Sequence, residues 1–366
     1  MIAFSFESPP VSFTLIPNKK ESVMKFKTVV LSLSLSFALV LCSLHPAAIA
    51  SMRITGSGAS FPAPLYTTWF QMFSRANKDL QVTYQSKGSG AGIRDFQNHI
   101  VDFAASDAAM NDEEIAKVKE GVQLLPMTAG EVVLAYNIGG IKDLKLPRDI
   151  YPAIFLGKVK KWNDPKIADA NPGVKLPDTD ITVVVRADSS GTTFVFSKHL
   201  STISPEFEKA VGVGKSLNWP DEAKMVKSPK NDGVTATIKQ TPGAIGYIEF
   251  GFARMSKLNM ASLENKEGKF IAPGGEGGPA ALANAQIPED MRVWLPDPQG
   301  DTSYPIVTYT WMIFYKKYED PKKAEALRKM VEYCLDEGQK ISEKAGYIPL
   351  PENVIEKVRT ASANIQ

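Results

Sequence analysis

One local pattern occurs four times along this chain: a short apolar strand, a turn rich in small polar residues, and then a helix. The four copies are MRITGSGASFPAPLY from Met52, LQVTYQSKGSGAGI from Leu80, VDFAASDAAMNDEEI from Val101 and VVVRADSSGTTFVF from Val183. Strands that alternate with helices favour mostly parallel sheets, and such folds bind ligands at the carboxyl ends of their strands. The pattern therefore predicts an α/β protein whose binding site lies in these turns.

The first 50 residues have the pattern of an export leader. The basic stretch MKFK begins at Met24, and the apolar stretch Val29–Cys42 that follows is shorter than the roughly 20 residues of a membrane span. The small residues of AIA, which ends at Ala50, match a signal cleavage site. We expect translation to start at Met24, cleavage after Ala50 and a periplasmic location. The bulky Leu41 argues against a lipid anchor on Cys42.

Charge and cysteine content narrow the class of protein. The chain has 42 basic and 40 acidic residues, and removal of the leader leaves it formally neutral. A neutral chain gives no reason to expect a nucleic-acid partner. Cys334 is the one cysteine after the leader, so an internal disulfide is excluded there, and its helical context predicts a small core residue.

Motifs for catalysis and cofactor binding are incomplete. No Gly-x-Ser-x-Gly elbow is present, and the sequence pattern puts His99 and His199 on helix surfaces. A P-loop ending at Ser216 would need glycine where Lys209 stands, and a dinucleotide turn at GSGAG would need it at Ile93. No His/Cys cluster has metal-ligand spacing. We predict no catalytic residues, no cofactor and no metal.

The turns are instead suited to an anion. Free amides at helix N-termini, together with hydroxyl groups, bind oxyanions, although a serine there is also an ordinary helix cap. Arg186 at a strand end can donate to two oxygens at once, and Asp188 can hold its guanidinium. The alternative is a solvent-exposed Arg186–Asp188 pair, which would contribute little to stability.

Asp107 ends the third strand, where a carboxylate would repel an anion. It favours binding if the ligand carries a proton that Asp107 can accept. Phosphate is protonated near neutral pH and sulfate is not, so a selectivity of roughly a thousandfold is reachable. The alternative is that Asp107 only caps a helix over 111–119.

The rest of the chain has less specific patterns. The stretches GEVVLAYN, PGAIGYIEFGFA and YPIVTYTWMIFYKK predict buried or edge strands. Residues 272–285 are glycine-rich and predict a loop, whereas 321–345 has helical spacing of its apolar residues and is followed by a turn and a last helix.

Five segments taken together resemble the periplasmic phosphate-binding proteins of phosphate-specific ABC transporters. They are GSGASFPAPLY, GSGAGI, DFAASDAAM, RADSSGTTFVF and PGAIGYIEF, in family order over essentially all of the chain after the leader. The resemblance implies a two-lobed periplasmic-binding-protein fold of type II, with each lobe a mostly parallel sheet flanked by helices, joined by a hinge. We expect lobe 1 to comprise 51–130 and 302–366, and lobe 2 to comprise 131–301.

The resemblance also implies the ligand and its contacts. It predicts a monomeric, non-enzymatic receptor that binds inorganic phosphate and delivers it to membrane permease subunits. The implied phosphate-binding residues are Ser60, Phe61, Ser89, Asp107, Arg186, Ser190, Gly191 and Thr192, with Asp188 as the partner of the arginine. Three alternatives stay open: a receptor for another oxyanion such as sulfate, a secreted phosphoester hydrolase using Ser190, and a surface scaffold that binds no anion.

Overall fold

A computed structural model describes residues 51–283 and 285–366. Ser51–Gln366 form one compact unit. The expected leader, with its start at Met24 and its cleavage after Ala50, lies outside the described residues and stays a prediction. Within the described ranges, no helix has the combined length and apolar character needed to cross a bilayer.

Most of the strands join one nine-stranded sheet, in the order β2-β1-β3-β12-β4-β8-β6-β7, with β9 paired to β4. A small sheet has the order β11-β10-β5. The strands are β1 Met52–Gly58, β2 Leu80–Ser86, β3 Phe103–Ser106, β4 Val122–Tyr136, β5 Lys145–Leu146, β6 Thr182–Arg186, β7 Met225–Ser228, β8 Ala244–Glu249, β9 Asn259–Met260, β10 Ser262–Glu264, β11 Phe270–Ile271 and β12 Val307–Tyr315.

Helices connect these strands and flank the sheet. They are α1 Ala63–Ala76, α2 Ser89–Gln97, α3 Asp112–Ile115, α4 Ile150–Phe155, α5 Pro165–Ala170, α6 Gly191–Ile203, α7 Pro205–Ala210, α8 Lys230–Gln240, α9 Phe250–Ser256, α10 Gly277–Leu282, α11 Pro321–Tyr333, α12 Gln339–Ala345 and α13 Glu352–Ser362, with a π-helical turn Cys334–Gly338 between α11 and α12. The helical character expected over 321–345 and the final helix are confirmed. Cys334 is fully buried, as predicted.

The strand directions correct the expectation of mostly parallel sheets. The pairs β1–β2, β1–β3, β6–β7 and β6–β8 are parallel, but β12 is antiparallel to β3 and β4, and β4 is antiparallel to β8. β4 is 15 residues long and pairs with β12 up to Glu131 and with β8 from Val132 onward. β4 is shared by both halves of the sheet and is antiparallel to both of its long neighbours, β12 and β8. The middle of the sheet is therefore antiparallel, whereas the strands of the strand–turn–helix copies pair in parallel on the outside.

The carboxyl ends of β1, β2 and β3 meet at one edge of the sheet. Gly58 has a φ of +147°, and its carbonyl accepts hydrogen bonds from the amides of Lys87 and Gly88, each at 2.9 Å. The amide of Ala59 donates to the carbonyl of Ala105 at 2.9 Å. A side chain at Gly58 would clash with that carbonyl, since an added Cβ would lie 2.1 Å from it. Glycine therefore lets the first two turns and the end of β3 come together.

Two expectations about the rest of the chain are wrong. The glycine-rich stretch 272–285 contains the helix α10, whose Gly277 packs closely against Ile271 and Tyr304, with an added Cβ lying 3.0 and 3.2 Å from them. His199 is not on a helix surface but is buried: its ring lies 2.8 Å from Tyr151 Oη and 2.6 Å from the Pro296 carbonyl. In both places the structure is determined by contacts between residues that are distant in the chain, and the local sequence pattern does not reveal such contacts.

Candidate anion-binding site

The first half of the site consists of the turns that follow β1, β2 and β3. Ser60 and Phe61 lie between β1 and α1, Ser89 is the first residue of α2, and Asp107 directly follows β3. All four residues are buried. The amide of Asp107 lies 3.3 Å from Ser89 Oγ, which ties the second turn to the third. The parallel pairing of the three strands therefore brings the predicted residues of this half together.

The second half follows β6. Arg186 ends the strand, and its guanidinium makes a two-bond contact with Asp188: Nε to Oδ1 at 2.8 Å and Nη2 to Oδ2 at 2.6 Å. The arginine side chain is 1% exposed. The amide of Lys230 donates to Asp188 Oδ1 at 2.9 Å and fixes the carboxylate. This burial excludes the alternative of a solvent-exposed pair, since Arg186 is held in place inside the protein.

The two halves meet at the start of α6. An added Cβ on Gly191 would lie 2.4 Å from Ser89 Oγ and 2.7 Å from Asp107 Oδ2. The amide of Gly90 donates to the carbonyl of Ser189 at 3.0 Å. Gly191 is thus a point of close approach between the turn after β6 and the turns after β2 and β3. The amides of Gly191 and Thr192, in the first turn of α6, have no partner in the preceding helical turn.

Asp107 lies at the centre of this arrangement. Its Oδ1 accepts a hydrogen bond from Thr310 Oγ1 at 2.9 Å, and its Oδ2 accepts one from Thr192 Oγ1 at 3.3 Å. Burial raises the pKa of Asp107 to about 7, and the hydrogen bond from Thr310 and the nearby charge of Arg186 only partly oppose that rise. The alternative role as a helix cap is excluded, because Asn111 caps α3 through its bond from the Glu114 amide. The helix also ends earlier than expected, at Ile115.

The two aspartates of the site have pKa values that are shifted in opposite directions. Burial acts to raise the pKa of Asp188, but the hydrogen bonds and charge of Arg186 outweigh it and lower that pKa below its usual range. Asp188 is therefore a permanent anion that neutralises Arg186, while Asp107 is poised between its two protonation states near neutral pH. Such a site supplies donors from hydroxyls, amides and one arginine, and a single carboxylate that can accept a proton.

Ser190 caps the start of α6. Its Oγ accepts a hydrogen bond from the amide of Thr193 at 3.0 Å, which is the geometry of a helix cap. His199 bonds to Tyr151 and Pro296, and His99 lies 3.8 Å from Glu120. Neither histidine is placed to take a proton from Ser190.

Two further residues of the site were missed by the sequence reasoning. Thr310 lies in the middle of β12, where the only signal was a polar residue in an apolar strand. Asn231 lies in the first turn of α8, and its Nδ2 lies 3.0 Å from Ser60 Oγ and 3.2 Å from Thr192 Oγ1. The segment MVKSPKNDGV around it is a further copy of the strand–turn–helix pattern, in which proline replaces the glycine-rich turn.

The protein without bound anion is expected to lose stability as pH rises. The folded-state pKa of Asp107 is raised from 3.8 to about 7, so its contribution is fully present below the unfolded-state pKa and is lost through about pH 7. The loss from this group amounts to at most about 4 kcal/mol. Burial also raises the pKa of Glu131 to about 7 and raises the pKa of Glu249, and both groups act in the same direction.

Thermal unfolding of the anion-free protein at about pH 5 and about pH 8 measures this effect. We expect a lower Tm at the higher pH and a smaller difference in Asp107→Asn, where Asp107 no longer titrates. Equal Tm values for the wild-type protein at both pH values would contradict the assignment.

Comparison of sequences identifies relatives over most of the chain. A family profile described as "PBP superfamily domain" matches residues 45–337. A phosphate-binding protein PstS of Pasteurella multocida is 39% identical over 84% of this chain and 89% of its own length. Another, from Methanocaldococcus jannaschii, is 38% identical over 82% of this chain and 83% of its own length.

Solved structures share the fold. A periplasmic phosphate-binding protein, PfluDING, solved with phosphate, superposes with a TM-score of 0.71 at 20% identity, covering 84% of this chain and 93% of that one. The phosphate-binding protein of Stenotrophomonas maltophilia gives 0.70 at 20% identity, covering 85% and 94%. These likenesses confirm the two-lobed α/β fold that the resemblance implied. With relatives this similar over nearly their full length, the chain belongs to the PstS family of phosphate-binding proteins, within the periplasmic-binding-protein superfamily.

Proposed function

We propose that this chain is a non-enzymatic receptor that binds one inorganic phosphate ion in the periplasm and delivers it to the permease of an ABC importer. The phosphate-binding residues are Ser60, Phe61, Ser89, Asp107, Arg186, Ser190, Gly191 and Thr192, with Asp188 holding the arginine. Membership of the PstS family supports the ligand and the transport role. The predicted leader supports the location.

The observation that carries the proposal is the position of Asp107. A buried carboxylate beside hydroxyls, free amides and Arg186 is unfavourable for a fully ionised anion. It is favourable for an oxyanion that brings its own proton, because the carboxylate then accepts a hydrogen bond. Phosphate near neutral pH meets that requirement and sulfate does not, which makes phosphate the better ligand of the two.

The change of strand partner after Glu131 supports the proposed lobe boundaries. Lobe 1 comprises 51–130 and 302–366, and lobe 2 comprises 131–301. Ser60, Phe61, Ser89 and Asp107 then belong to lobe 1, and the residues after β6 belong to lobe 2. A phosphate ion between them bridges the lobes, so its binding favours the closed arrangement.

Arg186→Lys is expected to weaken phosphate binding by about 10- to 100-fold. A lysine ammonium cannot donate through two parallel bonds, so it cannot hold Asp188 and also reach the anion as the guanidinium does. Equilibrium dialysis against radiolabelled phosphate measures the change. Arg148→Lys is the matched control, because Arg148 also makes a two-bond contact with an aspartate, here Asp297 through Nη1 and Nη2 at 2.8 and 2.5 Å, away from the loops of the site.

The same dialysis tests the function itself. Retention of phosphate by the wild-type protein, undiminished by excess sulfate, supports the receptor. Displacement of the label by sulfate would favour a general oxyanion carrier. Release of phosphate from a phosphoester by the purified protein, lost in Ser190→Ala, would instead show a hydrolase.

A further inference from the structure

Asn231 makes hydrogen bonds to both halves of the site. It is fully buried in the first turn of α8. Its backbone N and its Nδ2 lie 3.1 and 3.0 Å from Ser60 Oγ, and Nδ2 also lies 3.2 Å from Thr192 Oγ1. One side chain thus contacts a hydroxyl in the turn after β1 and a hydroxyl at the start of α6.

The orientation of the Asn231 amide is settled by a backbone group. Its Oδ1 lies 3.0 Å from the amide nitrogen of Glu249. A backbone N–H can only donate, so the atom facing it must be the amide oxygen. The NH₂ group therefore faces Ser60 and Thr192, and it can only donate to them.

This orientation determines what the two hydroxyls can do. A hydroxyl has one proton to donate and two lone pairs with which to accept. Ser60 Oγ accepts twice from Asn231, so its proton is left to be donated elsewhere. Thr192 Oγ1 accepts from Asn231 Nδ2 and from Arg186 Nη1, the latter at 3.3 Å, so its proton too must be donated, and without a bound anion it is donated to Asp107 Oδ2 at 3.3 Å.

We propose that Asn231 is a specificity-determining residue that fixes the hydroxyls of Ser60 and Thr192 as donors. Asp107 then remains the one side-chain acceptor among these groups. Such a site matches the phosphate dianion, which has a single proton, and disfavours the monoanion, whose second proton finds no acceptor. The inference rests on the proposed function and adds to it the choice between two protonation forms of the same ligand.

Removing the amide releases this constraint. In Asn231→Ala, Ser60 Oγ loses its side-chain donor and Thr192 Oγ1 keeps only Arg186, so both hydroxyls gain a free lone pair. Each can then rotate and accept a proton from the ligand. The variant should therefore lose affinity for the dianion and tolerate the monoanion better than the wild-type protein does.

The charged groups around these hydroxyls are the same in wild type and variant. Asp107 and Arg186 lie within the site, and Asp188 holds the arginine. The backbone amide of Glu249 contacts Asn231. Lys230 and Asp232 flank Asn231 in sequence and form an ion pair, with Nζ and Oδ2 3.3 Å apart. Their titration contributes to the pH dependence of both proteins. A difference between the two pH profiles therefore reports on the asparagine.

Calorimetric titration with inorganic phosphate, at one pH above and one pH below the second ionisation of phosphate, tests the proposal. For Asn231→Ala we expect a loss of about 10- to 100-fold in affinity at the higher pH and a clearly smaller loss at the lower pH. The matched control is Asn265→Ala, another buried asparagine, which bonds to the carbonyls of 300–303 instead. It should change affinity equally, or not at all, at both pH values.

Asn231→Asp provides a second variant of the same size. A carboxylate accepts where the amide donated, so the two hydroxyls would turn towards it and away from the ligand. We expect a greater loss of phosphate affinity than in the alanine variant. An equal loss at both pH values in Asn231→Ala, or no loss, would overturn the inference. Absence of phosphate binding by the wild-type protein would instead refute the proposed function.

Discussion

Asp107→Asn is expected to reduce the preference for phosphate over sulfate by about a hundredfold or more. The buried carboxylate of Asp107 repels sulfate, whose oxygens carry no proton. The asparagine NH₂ can instead donate a hydrogen bond to such an oxygen, so the repulsion is removed. The amide oxygen can still accept the proton of phosphate, so phosphate affinity should fall less than sulfate affinity rises. Titration of the variant with each anion in turn gives the ratio of the two dissociation constants.

Glu131→Gln is the matched control for this experiment. Glu131 is also a buried carboxylate whose pKa burial raises to about 7, but it bonds to the amide of Gly274 and not to the residues of the site. Its neutral variant should keep the phosphate preference of the wild-type protein. An unchanged preference in Asp107→Asn would show that selectivity arises elsewhere in the site.

Gly191→Ala is expected to weaken phosphate binding by about a hundredfold. The new Cβ would lie 2.4 Å from Ser89 Oγ and 2.7 Å from Asp107 Cβ, well inside contact distance, so the two halves of the site could not approach as closely. Forcing such a group into a packed interface costs about 1–3 kcal/mol. Because Gly191 is at the first position of α6, alanine suits the helix itself, so the loss comes from the clash and not from the helix.

The control for this variant is Gly139→Ala. Gly139 has no heavy atom within 4 Å of an added Cβ, so an alanine there tests the substitution without the clash. Phosphate affinity of Gly139→Ala should equal that of the wild-type protein. Full affinity in Gly191→Ala would mean that the halves of the site need not come this close when they bind the anion.

The strand–turn–helix copies made half of the site predictable from sequence. Each copy places its turn at the carboxyl end of a strand, so the turns that contain Ser60, Ser89 and Asp107 are expected to contribute to one binding site. The same reasoning placed Arg186 and Gly191 at the end of another such strand. What the pattern could not give was the antiparallel middle of the sheet, because β4 and β12 pair over long separations in the chain.

The residues that sequence reasoning missed have a common cause. Thr310 reaches Asp107 from a strand that is 203 positions away in the chain, and Asn231 reaches Ser60 across 171 positions. Neither residue stands in a motif with its partner, and local spacing says nothing about such contacts. Local spacing was also misleading for His199. Its helical context predicted a surface position, but packing against Tyr151 and Pro296 buries it.

Calorimetric titration of Ser51–Gln366, freed of anion by partial unfolding and dialysis, tests most directly whether this site selects phosphate through the proton it carries. The protein is titrated first with phosphate and then with sulfate. We expect tight binding of one phosphate per chain and no heat from sulfate at the same concentration. Comparable binding of sulfate would contradict the role of Asp107, and no heat with either anion would mean that the four turns do not form an anion site.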